Sequence, residues 1–162
     1  MKKVLAGLFV FTLIAITNHV SAQQYKTAVG IRLSSSAPII NNSISVKHFL
    51  NERTAIEGLL SLGDPLGVGA LLELHQPLAE SGVSWYYGGG AYFGFVKTYN
   101  LEKNKDVTDT HFGAMGVLGL DYKFQNIPLN LSIDWKPELN LVTDINFEPA
   151  AVGFTARFTF GK

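Results

Sequence analysis

Large apolar side chains recur at every second position along most of this chain, and the residues between them are small, polar or charged. Strict alternation is the mark of a strand with two unlike faces. Eight stretches carry it, at 26–33, 43–49, 54–62, 67–76, 83–96, 112–124, 129–139 and 151–160, each bounded by turn-forming residues. None sustains a helical period. Most approach the roughly 9–11 residues that a tilted strand needs to cross a bilayer. In the fifth, SWYYGGGAYFGFVK (84–97), rings dominate one parity and glycine the other.

The two parities differ in charge. One holds aliphatic residues such as Ile31, Leu72, Leu131 and Ile133 and the aromatics Trp85, Tyr87, Phe93, Phe95, Phe112, Tyr122, Trp135, Phe154, Phe158 and Phe160, with no charge on any strand. The other holds Lys26, Arg32, Lys47, Glu57, Glu73, Asp121, Lys123, Asp134, Lys136 and Arg157, together with Glu138. A charge facing lipid costs about 2–4 kcal/mol near the midplane. This sidedness predicts an all-β fold, an eight-stranded antiparallel up-and-down transmembrane β-barrel, with the aromatic face in lipid. The first ten charged residues are expected to form a salt-bridged network that fills and closes the lumen, Asp134 pairing with Arg157 on the adjacent strand. Near-equal numbers of the two signs suit such a plug better than a conducting pore or proton relay. An eight-stranded barrel leaves an interior just wide enough for side chains. Gly30, Gly69, Gly88, Gly90, Gly94, Gly113, Gly119 and Gly153, on the charged parity, make room there for Arg32, Arg157, Tyr86 and Tyr92. Trp85 and Trp135, near opposite ends of their strands, are expected in aromatic belts at the two interfaces.

The same alternation turned inside out would describe a soluble, lipocalin-like periplasmic barrel with an apolar ligand cavity. Against it, a water-facing surface is rich in Lys and Glu, and eight glycines there would weaken strands without packing in return.

The connections alternate as well. Those at 34–42, 63–66, 97–111 and 140–150 are mostly longer than those at 50–53, 77–82 and 125–128, the asymmetry of outer-membrane barrels, which puts both termini on the periplasmic side. Residues 1–22 read as a signal peptide: Lys2 and Lys3, an apolar run over 4–16 too short to span as a helix, and small residues before a cut after Ala22. Residues 23–162 form one barrel domain. The chain has 13 basic and 13 acidic residues, so it carries no nucleic-acid footprint. It has no cysteine, hence neither disulfides nor a lipoprotein anchor. Charged residues are only 16% of it, and 16 residues are glycine.

GLDYKFQNIPLNLSIDWKPELN (119–140) and AVGFTARFTF (151–160) carry a family likeness. On them the exported chain resembles the small eight-stranded outer-membrane β-barrels of Gram-negative bacteria, the OmpA/OmpX-like class. The resemblance implies outer-membrane lipid as surroundings, the barrel-assembly machinery as a partner during biogenesis, and Phe160, with Phe158, as the terminal aromatic assembly signal. The chain departs from that pattern by running on to Gly161 and Lys162.

Candidate chemistry is sparse. Some barrels of the class modify lipid A with a rim histidine and a hydroxyl. Here His111 stands beside Thr108, Asp109 and Thr110, but the His-Ser-Asn run of the deacylase type is absent. Neither an enzyme nor a cofactor is expected. His48 and His75 lack metal-ligand spacing and read as polar residues at a wet rim. Gly88–Gly90 precede no helix and make no phosphate loop. The longest loop, 97–111, is the candidate for an extracellular ligand.

Overall fold

The computed structural model describes residues 25–61, 63–78, 82–100, 105–142 and 145–161; the expected signal peptide lies outside them. The strands are β1 (Thr27–Ser35), β2 (Ser43–Phe49), β3 (Thr54–Ser61), β4 (Leu66–Pro77), β5 (Val83–Asn100), β6 (Lys105–Lys123), β7 (Leu129–Trp135), β8 (Glu138–Asn140), β9 (Asn146–Glu148) and β10 (Val152–Phe160). Each pairs antiparallel with its neighbours, and pairing of β1 with β10 closes the sheet into a barrel. β7 and β8 both pair with β6 and form one wall strand interrupted at Pro137; β9 and β10 are likewise the halves of the last. The wall is a closed eight-stranded antiparallel barrel.

The interruption is a bulge. From Trp135 to Glu138 the seventh wall strand advances three residues while the eighth goes back four, from Val152 to Glu148. The surplus residue falls within 149–151, where Pro149 has no N–H for a ladder. Trp135 Nε1 donates to the Pro149 carbonyl, so the indole takes up an acceptor left over by the break. Trp85 and Trp135 therefore do not mark opposite interfaces: they pair with Leu120 and Leu118 on β6 and border one shallow groove on the outer face.

Facing follows the alternation. Ile31, Leu33, Val68, Leu72, Phe93, Phe112, Leu118, Ile133, Phe154 and Phe158 are exposed around the outer wall, whereas the inward positions are buried. A soluble monomer rarely exposes an apolar patch above a few hundred Å²; here the exposed apolar side chains circle the molecule. The inside-out alternative needed these side chains around a cavity, and they point away from it.

Inside, long side chains lie over glycines. A Cβ at Gly119 would come within 2.7 Å of the Tyr86 ring, one at Gly113 within 2.5 Å of the Tyr92 hydroxyl, and one at Gly153 would overlap the Arg32 guanidinium. Gly90, also inward, would drive a Cβ into the Ala70 carbonyl, whereas at outward Gly89 the nearest atom would be 3.4 Å away. Gly90→Ala is therefore expected to destabilise the barrel by about 1–3 kcal/mol through overpacking. Gly89→Ala should be neutral or stabilising by under about 1 kcal/mol. Urea unfolding of the two variants in detergent checks the difference.

Candidate functional site

The lumen fills in layers. At the end where β1 begins and β10 finishes, Tyr25, Ala28, Phe49 and Ala55 pack together, the Tyr25 ring edge-on to Phe49 at 5.2 Å. Phe49 meets His75, and His75 stacks on Tyr86 at 4.9 Å. Burial of His75 corrects the wet-rim expectation: Phe49 and Tyr86 sandwich the ring, and Nε2 lies 2.9 Å from Glu73 Oε2.

Above this layer come the ions. Arg157 donates from Nε to Ser45 Oγ (2.7 Å), from Nη1 to Ser132 Oγ (2.9 Å) and Asn130 Oδ1 (3.2 Å), and from Nη2 to Glu57. Lys47 Nζ is 2.7 Å from Glu73, 3.6 Å from Asp121, 3.7 Å from Glu57 and 4.3 Å from the Tyr86 ring centroid. Arg32 grips Asp134 with both Nη atoms, at 2.5 and 2.6 Å, and Tyr86 donates to the same carboxylate at 3.0 Å. The expected Asp134–Arg157 pair is thus replaced. Arg157 is level with Asn130, and Asp134 is level with Gly153, whose missing side chain lets Arg32 reach across β10.

Two residues assigned to the network do not join it. Lys26 precedes β1 and is exposed at the rim. Lys123, at the end of β6, turns to the 124–128 connection and donates to the Phe124 and Ile127 carbonyls. Glu138, read as inward but not as a network member, is buried and paired with Lys136.

At the far end the 34–42 connection is not an outward loop. Ser36, at φ 58°, turns the chain out of β1 and into the mouth. Ile39 and Ile40 are buried there against Leu59, Leu71, Tyr86, Tyr92, Met115 and Val117. A Cβ at Gly67 would lie 2.9 Å from Ile40 Cδ1, and one at Gly94 would overlap Ile39 Cγ2. Each isoleucine buried contributes about 1.5–3 kcal/mol. The backbone entering with them needs partners: Ile39 N donates to Glu138 Oε2 at 3.4 Å and Lys136 Nζ donates to the Ile40 carbonyl at 3.3 Å. Two adjacent isoleucines in the polar run SSSAPIINNS were the available signal.

The 97–111 connection is also revised. β5 and β6 pair as far as Asn100 and Lys105, so the segment is a two-stranded ribbon standing above the wall. Lys97 N donates to Asp64 Oδ1 at 3.2 Å, tying its base to the β3–β4 turn. Thr108, Asp109, Thr110 and His111 lie on β6; Thr108 and Thr110 face outward, and His111 meets the Asn140 side chain at 3.0 Å. Among the described residues no group of three or more His, Asp or Glu is arranged to hold a metal ion. Of the outer aromatics, Tyr87, Phe93, Phe95, Tyr122, Trp135, Phe154 and Phe158 are exposed and Trp85 half-buried; Phe160 ends β10, 4.9 Å from Phe158 between ring centroids.

No protein-family model matches the chain, and no curated protein matches it. Among solved structures it is similar to the N-terminal β-barrel domain of Pseudomonas aeruginosa OprF, with a TM-score of 0.63 over 85% of this chain and 98% of that one, at 13% sequence identity. At that identity the likeness is one of fold, the eight-stranded OmpA-like barrel.

Removing one partner of a buried ion pair costs about 3–5 kcal/mol, because the other stays charged and alone, whereas removing both together is far milder. Arg32→Met is expected to destabilise by that amount and Arg32→Met/Asp134→Leu to recover most of it. A double-mutant cycle in urea measures the recovery.

Proposed function

We propose that the chain is an integral outer-membrane β-barrel with a structural or surface-binding role, in which the plugged lumen conducts nothing and the outer rim meets ligands. One observation carries the reading: every ionised side chain of the wall strands within the apolar band faces inward, and the outward face there is apolar all round. In lipid only a structure with all its backbone groups paired can span, and a closed barrel meets that condition. The termini then lie toward the periplasm and the β5–β6 ribbon outside the cell. Phe160, outward at the end of the last strand, suits recognition by an assembly machinery.

The lumen supports closure. Arg32, Lys47, Lys136 and Arg157 are all buried against carboxylates, so a hydrated path would have to break these pairs. Among the described residues His111 meets an asparagine, and the nearby threonines Thr108 and Thr110 face away from the lumen. The ribbon, whose paired strands run on beyond the wall, is the part able to vary for recognition.

Three outcomes test this. The protein should fractionate with outer membrane and show heat-modifiable gel migration; recovery in periplasmic extract without detergent would exclude the reading. In reconstituted vesicles, lipids brominated along the acyl chain should quench Trp85 and Trp135 strongly and aqueous acrylamide only weakly. Planar bilayers should show no large steady conductance. Separately, replacing residues 98–107 with a two-residue turn should leave heat-modifiability intact while removing whatever surface binding the cell shows.

A further inference from the structure

Residues 36–42 do more than fill space. They bring an apolar pair, Ile39 and Ile40, into a pocket of matching chemistry: Leu59, Leu71, Tyr92 and Met115 form its walls, and inward glycines on β4 and β5 leave the volume that the pair occupies. The backbone is held from the opposite side by one ion pair. Lys136 and Glu138 flank Pro137 on the seventh wall strand, both point inward, and each binds the other and one main-chain group of the segment. Polar contacts at the far end are Ser61 Oγ donating to Asn41 Oδ1 at 2.6 Å and Ser34 N donating to Asn42 Oδ1 at 3.1 Å.

We propose that residues 36–42 are a latched lid over an apolar pocket in the outer half of the lumen, and that the Lys136–Glu138 pair is the latch. Two isoleucines supply the closing force and the latch satisfies the polar groups that enter with them. Releasing the latch leaves Ile39 N and the Ile40 carbonyl buried without partners. The lid then opens more often, presenting Leu59, Leu71 and Tyr92 to the outside. The ion layer beneath, from Arg32 to Lys47, stays in place, so an open lid yields a blind pocket and not a pore.

The inference rests on the closed, membrane-inserted barrel proposed above, and the absence of cysteine makes a labelling test clean. Leu71→Cys, buried beneath the lid, is made in the full chain and in Lys136→Met/Glu138→Leu, a pair chosen so that no lone charge remains. Ile39→Ser/Ile40→Ser gives a second route to an open lid with the latch intact. Each is reconstituted in vesicles, checked for heat-modifiable migration, and treated with a membrane-impermeant maleimide; Thr108→Cys, exposed on the ribbon, is the positive control. The expected result is slow labelling of Leu71→Cys with the latch intact and at least tenfold faster labelling in both lid variants, without steady conductance in any. Fast labelling with latch and lid intact would overturn the closed lid, whereas steady conductance or loss of heat-modifiable migration in the parent chain would sink the closed-barrel reading itself. Equally slow labelling when the latch is removed, with the serine pair fast, would overturn the latch and leave the lid. Slow labelling in both would overturn the lid and leave the barrel.

Discussion

An eight-stranded cylinder has almost no room inside, and whatever faces inward must be packed and paired within that space. Every second residue of every strand is subject to this condition. It explains why glycine and the longest side chains share one face: Arg32 lies over Gly153, Tyr86 over Gly119 and Tyr92 over Gly113. It also explains why the interior is ionic. Arg157 fills a lumen cross-section and brings five donors with it, and Ser45, Glu57, Asn130 and Ser132 on three strands answer four of the contacts. Such a network adds little net stability over an apolar core, but through Arg157 alone it ties β2, β3 and β7 to β10. Shifting any strand by one residue would turn these charges outward.

The outer face is the consequence. With the polar groups consumed inside, the alternation leaves Ile31, Leu72, Phe93, Ile133 and Phe154 with nothing to pack against within the chain. Their exposure is a cost in water and a gain in hydrocarbon. Two faces of one strand pattern thus set both the filling of the lumen and the apolar surface around it.

Strand number and facing were legible because both follow from the pleat, which is local. β2 matches its expected span, and the remaining strands differ mainly at their ends. Past the wall the period-2 signal fades in the sequence, so 97–111 read as loop although its backbone is paired as far as Asn100 and Lys105. Partner choice was not legible either. Asp134 and Arg157 sit on neighbouring strands, yet the pair that forms crosses a strand through the gap at Gly153, a matter of depth in the lumen and not of sequence distance. Lys26 and Lys123 share the inward parity but lie past the ends of the packed interior, where the same facing leads to water or to a turn.

The lid and the break in the wall have one cause. Going round the barrel, β9 stands beyond β10 on the last wall strand, and its far edge would call for the continuation of β1 as a partner. β1 stops at Ser35 opposite Val152, and the chain turns inward at Ser36. Among the described residues β9 accordingly pairs only with β8 and ends the sheet order. The segment that could have completed the rim as strand completes it as plug. A bare strand edge at the rim is costly in hydrocarbon. Lys136 and Glu138, on the strand beside the break, keep the inward alternation of Ser132 and Asp134 and so face the segment that turned in. The ion pair sits one strand away from that open edge and holds the two main-chain groups, Ile39 N and the Ile40 carbonyl, that enter the lumen with the segment.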